Sequence, residues 1–270
     1  MIDKKITQIA FEIRQSILKS ISHAGSGHLG GSLGLSDIFT ALYFNILNHN
    51  PKDPNWIKRD RLILSIGHVA PVLYASLAHA GYFPISELNQ LRKLGSPLQG
   101  HPSIEHNLPG IELAAGSLGQ GLSVSVGLAL SAKIDTEDFF TFCILGDGEL
   151  QEGSVWEAAM SASHHKLDNL IAIVDRNFVQ IDGKTSSVME IEPLKQKWDA
   201  FAWDVFECDG NNIEQFISTV NLAKNKNNKP KVIIANTKMG KGLTEIENDY
   251  RWHGKAPNQE ELERFLNQLY

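Results

Sequence analysis

FFTFCILGDGELQEGSVWEAAMSASHHKLDNLIAIVDRN, residues 139–177, carries the pattern that decides the fold. Phe139 to Leu145 and Leu170 to Asp175 are short apolar runs that read as buried strands, and the stretch from about Ser154 to His165 between them reads as a helix. A strand, helix and strand in that order form one βαβ unit of a parallel sheet. In such sheets ligands bind beyond the carboxyl ends of the strands, and Asp147 and Asn177 fall just past two of those ends. Thirty positions separate them, the length of one helix plus one strand, so the spacing brings both to neighbouring strand tips. An Asp carboxylate, an Asn amide oxygen and a nearby backbone carbonyl suit Mg²⁺, which takes hard oxygen ligands and completes its shell with phosphate oxygens. A lone Asp-Gly after a strand, by contrast, is only a turn.

Working outward, Ile6, Ile9, Ile13 and Ile17 recur at helical spacing within residues 2–21, and this helix is expected to end near His23-Ala24-Gly25. Ser36 is predicted to cap a helix carrying Ile38, Leu42 and Ile46 on one face. Strand Arg61 to Ser65 follows, then helices over 70–80 and 87–93, the second capped by Ser86. Gly95 to Leu118 is rich in Gly and Pro, and structureless loops of that length are functional or disordered. Beyond residue 177 the alternation continues: helix 193–200, strand Trp203 to Glu207, helix Ile213 to Lys224, strand Val232 to Ala235. The last helix opens at Asn258 with Glu261 three residues on, the arrangement of a capping box. No repeat or linker interrupts the pattern, so residues 1–270 are expected to form one α/β domain, a parallel sheet flanked by helices.

Composition narrows the function. With 42% hydrophobic residues in 270, the chain can bury a substantial core. No run reaches the length of a membrane span and no signal peptide opens the chain, so a cytoplasmic protein is expected. The net charge of −6 argues against nucleic acid or an anionic membrane as partner. Cys143 and Cys208 lack metal or redox spacing and read as inert thiols.

Two further signals accompany the Asp147 and Asn177 pair. Gly116-Ser117-Leu118-Gly119-Gln120-Gly121 precedes a helical stretch, Leu122 to Ala132; glycines there let backbone N–H groups approach a diphosphate, although glycine turns of this kind are common and the Lys-Ser/Thr of a P-loop is missing. Of the ten histidines, four adjoin glycine in loop-like contexts: His28, His68, His101 and His253. Imidazoles on tight turns suit hydrogen bonding to substrate oxygens and proton movement. Their spacing is not that of structural zinc.

Taken in order, Ser26-Gly27-His28-Leu29-Gly30-Gly31-Ser32-Leu33-Gly34, Gly67-His68, Gly100-His101-Pro102, the Gly116 to Gly121 loop, Gly146-Asp147-Gly148-Glu149-Leu150-Gln151-Glu152-Gly153, Asp175-Arg176-Asn177, Ile181-Asp182-Gly183 and His253-Gly254 resemble the transketolase family of thiamine-diphosphate enzymes over nearly the whole chain. The resemblance implies a thiamine-diphosphate-binding, diphosphate-domain fold, with Asp147, Asn177 and the Val179 carbonyl holding Mg²⁺ or, in its place, Ca²⁺ or Mn²⁺. It implies Gly116, Ser117 and Gly148 against the cofactor, His68 near its diphosphate, and Leu118 and Ile181 packed on its bent form. His28, His101 and His253 are implied to face the reacting carbons, and Glu152 to support cofactor activation near a dimer interface. Leu29 and Ser117 stand where proline is common in the family, which touches loop geometry rather than chemistry.

The family's reaction moves a two-carbon ketol unit from a ketose phosphate to an aldose phosphate. Its activating glutamate belongs to a pyrimidine-binding domain for which this chain shows no candidate. The expectation is therefore the amino-terminal subunit of a split transketolase, working with a separately encoded carboxy-terminal subunit in an α2β2 assembly; Met1 and the capped last helix read as the ends of such a chain. The α subunit of a 2-oxo-acid dehydrogenase, a deoxyxylulose-phosphate synthase fragment or a non-catalytic cofactor-binding module would share the metal clamp. The four glycine-flanked histidines favour transketolase.

Overall fold

The computed structural model describes residues 4–270, so Ile2 and Asp3 of the first predicted helix lie outside the described residues. Helix α1 (Lys4–Ala24) buries Ile13, Ile17, Leu18 and Ile21 completely. It stops at Gly25, whose φ of +67° is the left-handed conformation that favours glycine.

The glycine-rich segment after it is not a loop. His28 occupies the cap position of a short helix, α2 (Leu29–Gly34), in which every residue is buried. Its glycines serve close approach: a Cβ on Gly30 would meet Met239 at 2.7 Å, on Gly31 Val69 at 2.7 Å, and on Gly34 the Lys238 carbonyl at 2.9 Å. Tertiary packing here outweighs the roughly 1 kcal/mol per residue that glycine costs a helix. Helix α3 (Ser36–Ala41) follows directly and loosens into a π turn over Leu42–Ile46. Ser36 does not cap it; Leu35 holds that position, and the Ser36 hydroxyl donates back to the Ser32 carbonyl at 3.1 Å.

Five strands form one parallel sheet in the order β1 (Arg61–Leu64), β2 (Thr141–Gly146), β3 (Leu170–Arg176), β7 (Lys231–Asn236), β6 (Asp204–Asp209). The alternation of side chains splits the core in two. Leu62, Leu64, Phe142, Ile144, Ile171, Ile173 and Ile233 join the cluster that includes α1, α4 (Ala70–Ala80) and α9 (Ile213–Ala223). Ile63, Cys143, Leu145, Ala172, Val174 and Val232 join the cluster of α5 (Gly121–Ile134), α6 (Gly153–His164) and α8 (Leu194–Ala200). Burial on both faces is why these strands read as unbroken apolar runs. It also raises both thiols, Cys208 to about 11, so neither is a nucleophile at neutral pH.

The predicted helix 87–93 is instead a 3₁₀ segment, Ile85–Gln90, with Pro84 rather than Ser86 at its cap. Residues 95–118 hold no helix or strand, as expected of a functional loop. The loop's far end is pressed onto the end of β1: a Cβ on Gly67 would lie 2.3 Å from the Ala115 carbonyl oxygen, so only glycine fits. A two-stranded hairpin, β4 (Val179–Gln180) and β5 (Gly183–Lys184), and a single turn, α7 (Thr185–Val188), follow β3. Helix α10 (Gln259–Gln268) has the predicted reciprocal capping box between Asn258 and Glu261. No helix among the described residues is long and apolar enough to cross a membrane.

Candidate active site

Asp147 and Asn177 do meet at the carboxyl edge of the sheet, where Gly146 of β2 pairs with Asp175 of β3. Asp147 is 2% exposed. Its Oδ2 accepts hydrogen bonds from Arg176 Nη1 at 2.9 Å, the Phe178 backbone N–H at 2.7 Å and Thr185 Oγ1 at 3.4 Å, while Oδ1 accepts from the Gly148 N–H at 2.7 Å. Burial pushes its carboxyl up, and Arg176 with those backbone donors opposes the shift. The Asn177 amide is fixed at both ends, donating to Asp175 at 2.8 Å and accepting from the Val179 N–H at 2.9 Å. Asp175, fully enclosed and close to Asp147, is pushed up to about 7; Thr237 donates to its other oxygen. Asp147 Oδ1 and Asn177 Oδ1 each keep a lone pair for a further partner. Among the described residues no three His, Cys, Asp or Glu side chains gather as a metal-binding group. A cation here therefore needs amide, carbonyl and phosphate oxygens beside the one carboxylate, which is the Mg²⁺ pattern.

A second carboxylate ties this edge together. Glu149, 2% exposed, accepts from the Gly119 N–H at 2.7 Å and the Gly146 N–H at 3.1 Å, and the Ser65 hydroxyl donates to it. Ser65 Oγ in turn accepts from the Gly121 N–H at 3.1 Å. The Gly116 to Gly121 loop is thus fastened to the ends of β1 and β2. Gly116 itself is exposed, and the nearest atoms to a Cβ placed there are those of the His101 ring at 3.9 Å. That leaves the open backbone surface a diphosphate or substrate requires.

The histidines converge although they lie far apart in sequence. Ring centroids are 4.9 Å apart for His28 and His68, 5.3 Å for His68 and His253, and 5.6 Å for His28 and His253. His101, beside Gly116, acts electrostatically on both His28 and His68. Burial, then mutual repulsion, lowers His28 to about 4 and His68 to about 3; burial also lowers His101 and His253. All four are neutral imidazoles at pH 7, each able to donate from one nitrogen and accept at the other. Nδ1 of His28 and Nδ1 of His253 are buried without a hydrogen-bond partner. Unsatisfied buried nitrogens on two facing rings mark a place that a polar ligand completes.

This cluster has a consequence for stability. Between pH 6.5 and 3 an unfolded His68 takes up a proton that the folded one refuses, so stability falls as pH falls. From pH 6.5 to 5, His68 alone accounts for about 2 kcal/mol of that loss. Asp175 works in the opposite sense, because its folded carboxyl holds its proton to higher pH. The measurement is therefore a difference: urea unfolding at pH 6.5 and pH 5 for the wild type and His68→Asn, with the variant expected to lose about 2 kcal/mol less. Parallel losses would exclude a buried neutral His68.

Of the remaining expected site residues, Leu118 is half-buried and Ser117 exposed, and Ile181 is 60% exposed at the tip of the hairpin. Glu152 is exposed in this chain, and its Cβ lies 2.8 Å from where a Cβ on Gly119 would sit. Val179 is buried two residues after Asn177. Glu149, Arg176 and Arg92 went unassigned in the sequence, and only Glu149 carried a signal, an acid two residues past Asp147 at the end of an apolar strand. Elsewhere Ser16 Oγ lies 2.9 Å from His79 Nε2, with Glu12 4.0 Å from Nδ1. Ser16 sits in the middle of α1, where neighbouring N–H groups serve the helix, so no oxyanion hole accompanies it.

Residues 5–269 match the family described as transketolase, thiamine diphosphate binding domain. One of the two kinds of chain in the apulose-4-phosphate transketolase of Phocaeicola vulgatus is 42% identical over 256 residues, covering 95% of this chain and 90% of that protein. The 6-deoxy-6-sulfo-D-fructose transketolase subunit SqwG of a Clostridium species is 44% identical over 248 residues, covering 92% and 90%. The crystal structure of transketolase from Campylobacter jejuni matches with a TM-score of 0.92 at 36% identity, covering 99% of this chain and 43% of that one. The chain thus spans less than half the length of that transketolase and nearly all of the two subunits. It belongs to the transketolase family, as a thiamine-diphosphate-binding domain of the kind that split transketolases carry as a separate subunit.

Proposed function

We propose that residues 1–270 are the amino-terminal half of a two-chain ketol transferase, moving a two-carbon unit from a ketose phosphate to an aldose phosphate in the cytoplasm. The observation that carries this reading is the meeting, at one sheet edge, of the Asp147 and Asn177 oxygens with four neutral imidazoles, two of them with unsatisfied buried nitrogens. Asp147, Asn177 and the Val179 carbonyl would hold Mg²⁺, and Gly116, Ser117, Gly148 and His68 would border the diphosphate. Leu118 and the exposed Ile181 offer apolar surface to the cofactor rings. Bound thiamine diphosphate supplies the electron sink for C–C cleavage. His28, His101 and His253 hydrogen-bond the substrate's hydroxyl and carbonyl oxygens and move protons there, a role that suits rings neutral at pH 7.

Glu152 and Ile181 lie exposed beside the site, where a partner chain would cover them. That partner supplies the activating glutamate and a share of the substrate contacts, in an α2β2 assembly. Co-expression with a transketolase carboxy-terminal subunit, followed by a ketol-transfer assay with and without Mg²⁺ and thiamine diphosphate, tests the reading. The complex is expected to be active only with both, and the single chain to be at least about a hundredfold slower, the factor one general acid or base contributes. Robust turnover by the single chain would overturn the two-chain reading. Cofactor binding without turnover in the complex would leave a non-catalytic module.

A further inference from the structure

Six of the chain's seven arginines rest their guanidinium on oxygen. Arg14 pairs with Asp37, Arg59 with Glu112, Arg176 with Asp147 and Glu192, Arg251 with Asp249, and Arg264 with Glu245; Arg61 donates to the carbonyls of Arg59 and Ile57. Arg92 is the exception. Among the described residues nothing accepts from its side chain, and its Nε is buried without a partner.

Its backbone is equally unusual. Arg92 has a φ of 59°, an uncommon conformation for a residue with a side chain, and its N–H donates to the Leu98 carbonyl at 2.8 Å, closing a loop. That loop delivers the guanidinium onto Gly100, where a Cβ would lie 2.7 Å from Arg92 Cζ. The neighbour of Gly100 is His101. The groups that hold His28 and His101 neutral include the Arg92 charge, and no carboxylate is among the groups acting on those two rings. A half-buried cation costs free energy unless an anion meets it. A guanidinium also presents a fork that matches phosphate geometry.

We propose that Arg92 binds the phosphate oxyanion of a sugar phosphate substrate, so that part of the substrate's anion grip belongs to this chain. The inference rests on the ketol-transfer reading. Arg92 adjoins the histidines rather than Asp147 and Asn177, which favours the substrate's oxyanion over the cofactor's diphosphate.

The test uses the two-subunit complex with Arg92→Gln and Arg92→Lys. Steady-state kinetics compare ribose 5-phosphate with unphosphorylated ribose as acceptor, and calorimetry titrates ribose 5-phosphate and, separately, thiamine diphosphate. Arg92→Gln is expected to raise KM and Kd for ribose 5-phosphate roughly ten- to hundredfold, the worth of a charge-assisted contact, with little change in kcat, in ribose kinetics or in cofactor affinity. Arg92→Lys, which keeps the charge without the fork, should recover part of the loss. Equal losses for ribose and its phosphate would overturn the proposal. A fall confined to thiamine diphosphate would reassign Arg92 to the diphosphate, and failure of Arg92→Gln to bind the partner subunit would reassign it to a partner carboxylate; either result also overturns it. If the wild-type complex transfers no ketol unit, the ketol-transfer reading fails by itself, and the ribose 5-phosphate titration still decides whether Arg92 binds the oxyanion.

Discussion

Replacing Asp147 with asparagine is expected to lower ketol transfer by the two-subunit complex by roughly three orders of magnitude, the kinetic equivalent of about 4 kcal/mol. Asp147 is the one carboxylate at the clamp, and the other oxygens available there are neutral, so the variant leaves a divalent cation facing amide and carbonyl dipoles alone. The local structure amplifies the loss. Oδ2 accepts from Arg176 and from the Phe178 N–H, and Oδ1 from the Gly148 N–H. An amide must turn its NH2 toward one side of this ring of donors and leave that side unsatisfied. Arg176 keeps Glu192 at 2.8 Å, so its charge is not stranded. The folding cost is therefore that of an unmade buried hydrogen bond, about 2 kcal/mol. Thermal unfolding separates the two effects. Mg²⁺ and thiamine diphosphate together should raise the wild-type melting temperature and leave that of Asp147→Asn nearly unmoved, since stabilisation follows affinity for the folded state. Activity within tenfold of wild type at saturating Mg²⁺ would mean that the metal is held elsewhere.

The clamp was readable in the sequence because it sits on the simplest part of the fold. β2 and β3 are buried on both faces, so their composition announces strands, and the carboxyl-end rule places Asp147 and Asn177 without further knowledge. The histidines were visible one by one, but their convergence was not, since His28, His68 and His253 come from the start of α2, the end of β1 and a turn near the carboxyl terminus. Where local preference and tertiary packing disagree, the reading from sequence failed. Three glycines made α2 look like a loop, whereas the close approach of Met239, Val69 and Lys238 is what requires them. Ser86 resembled a cap, yet Pro84 fixed the chain two residues earlier. The hairpin at Val179–Lys184 is too short to leave a periodic signal. Roles defined by distant partners were invisible as well: Glu149 looks like part of a turn because its partners Ser65 and Gly119 lie far off along the chain, and Arg92 stands out only because the other six arginines are paired.

Glu149 is also where the largest loss of stability is expected. Its carboxylate receives the Ser65 hydroxyl, the Gly119 N–H and the Gly146 N–H, three donors from three separate segments of the site. Burial pushes its carboxyl up, and those three bonds oppose the shift. In Glu149→Ala two backbone N–H groups and a hydroxyl lose their acceptor in a space closed to water, at about 1 to 3 kcal/mol for each group left unsatisfied. Partial relaxation brings the expected total to about 4 kcal/mol, a fall of roughly 8 to 16 °C in melting temperature for a domain of this size. A fall of less than 2 °C would show that the carboxylate is dispensable. Cofactor affinity should drop with stability, since the Gly119 to Gly121 segment then has no tie to β2. Ser65→Ala distinguishes this linked arrangement from independent bonds. It strands only the Gly121 N–H, leaves Glu149 holding Gly119 and Gly146, and should cost less than half as much. If instead the hydroxyl relays the restraint from the carboxylate to the start of α5, the double variant should cost no more than Glu149→Ala alone, because residues in one hydrogen-bond network are not additive.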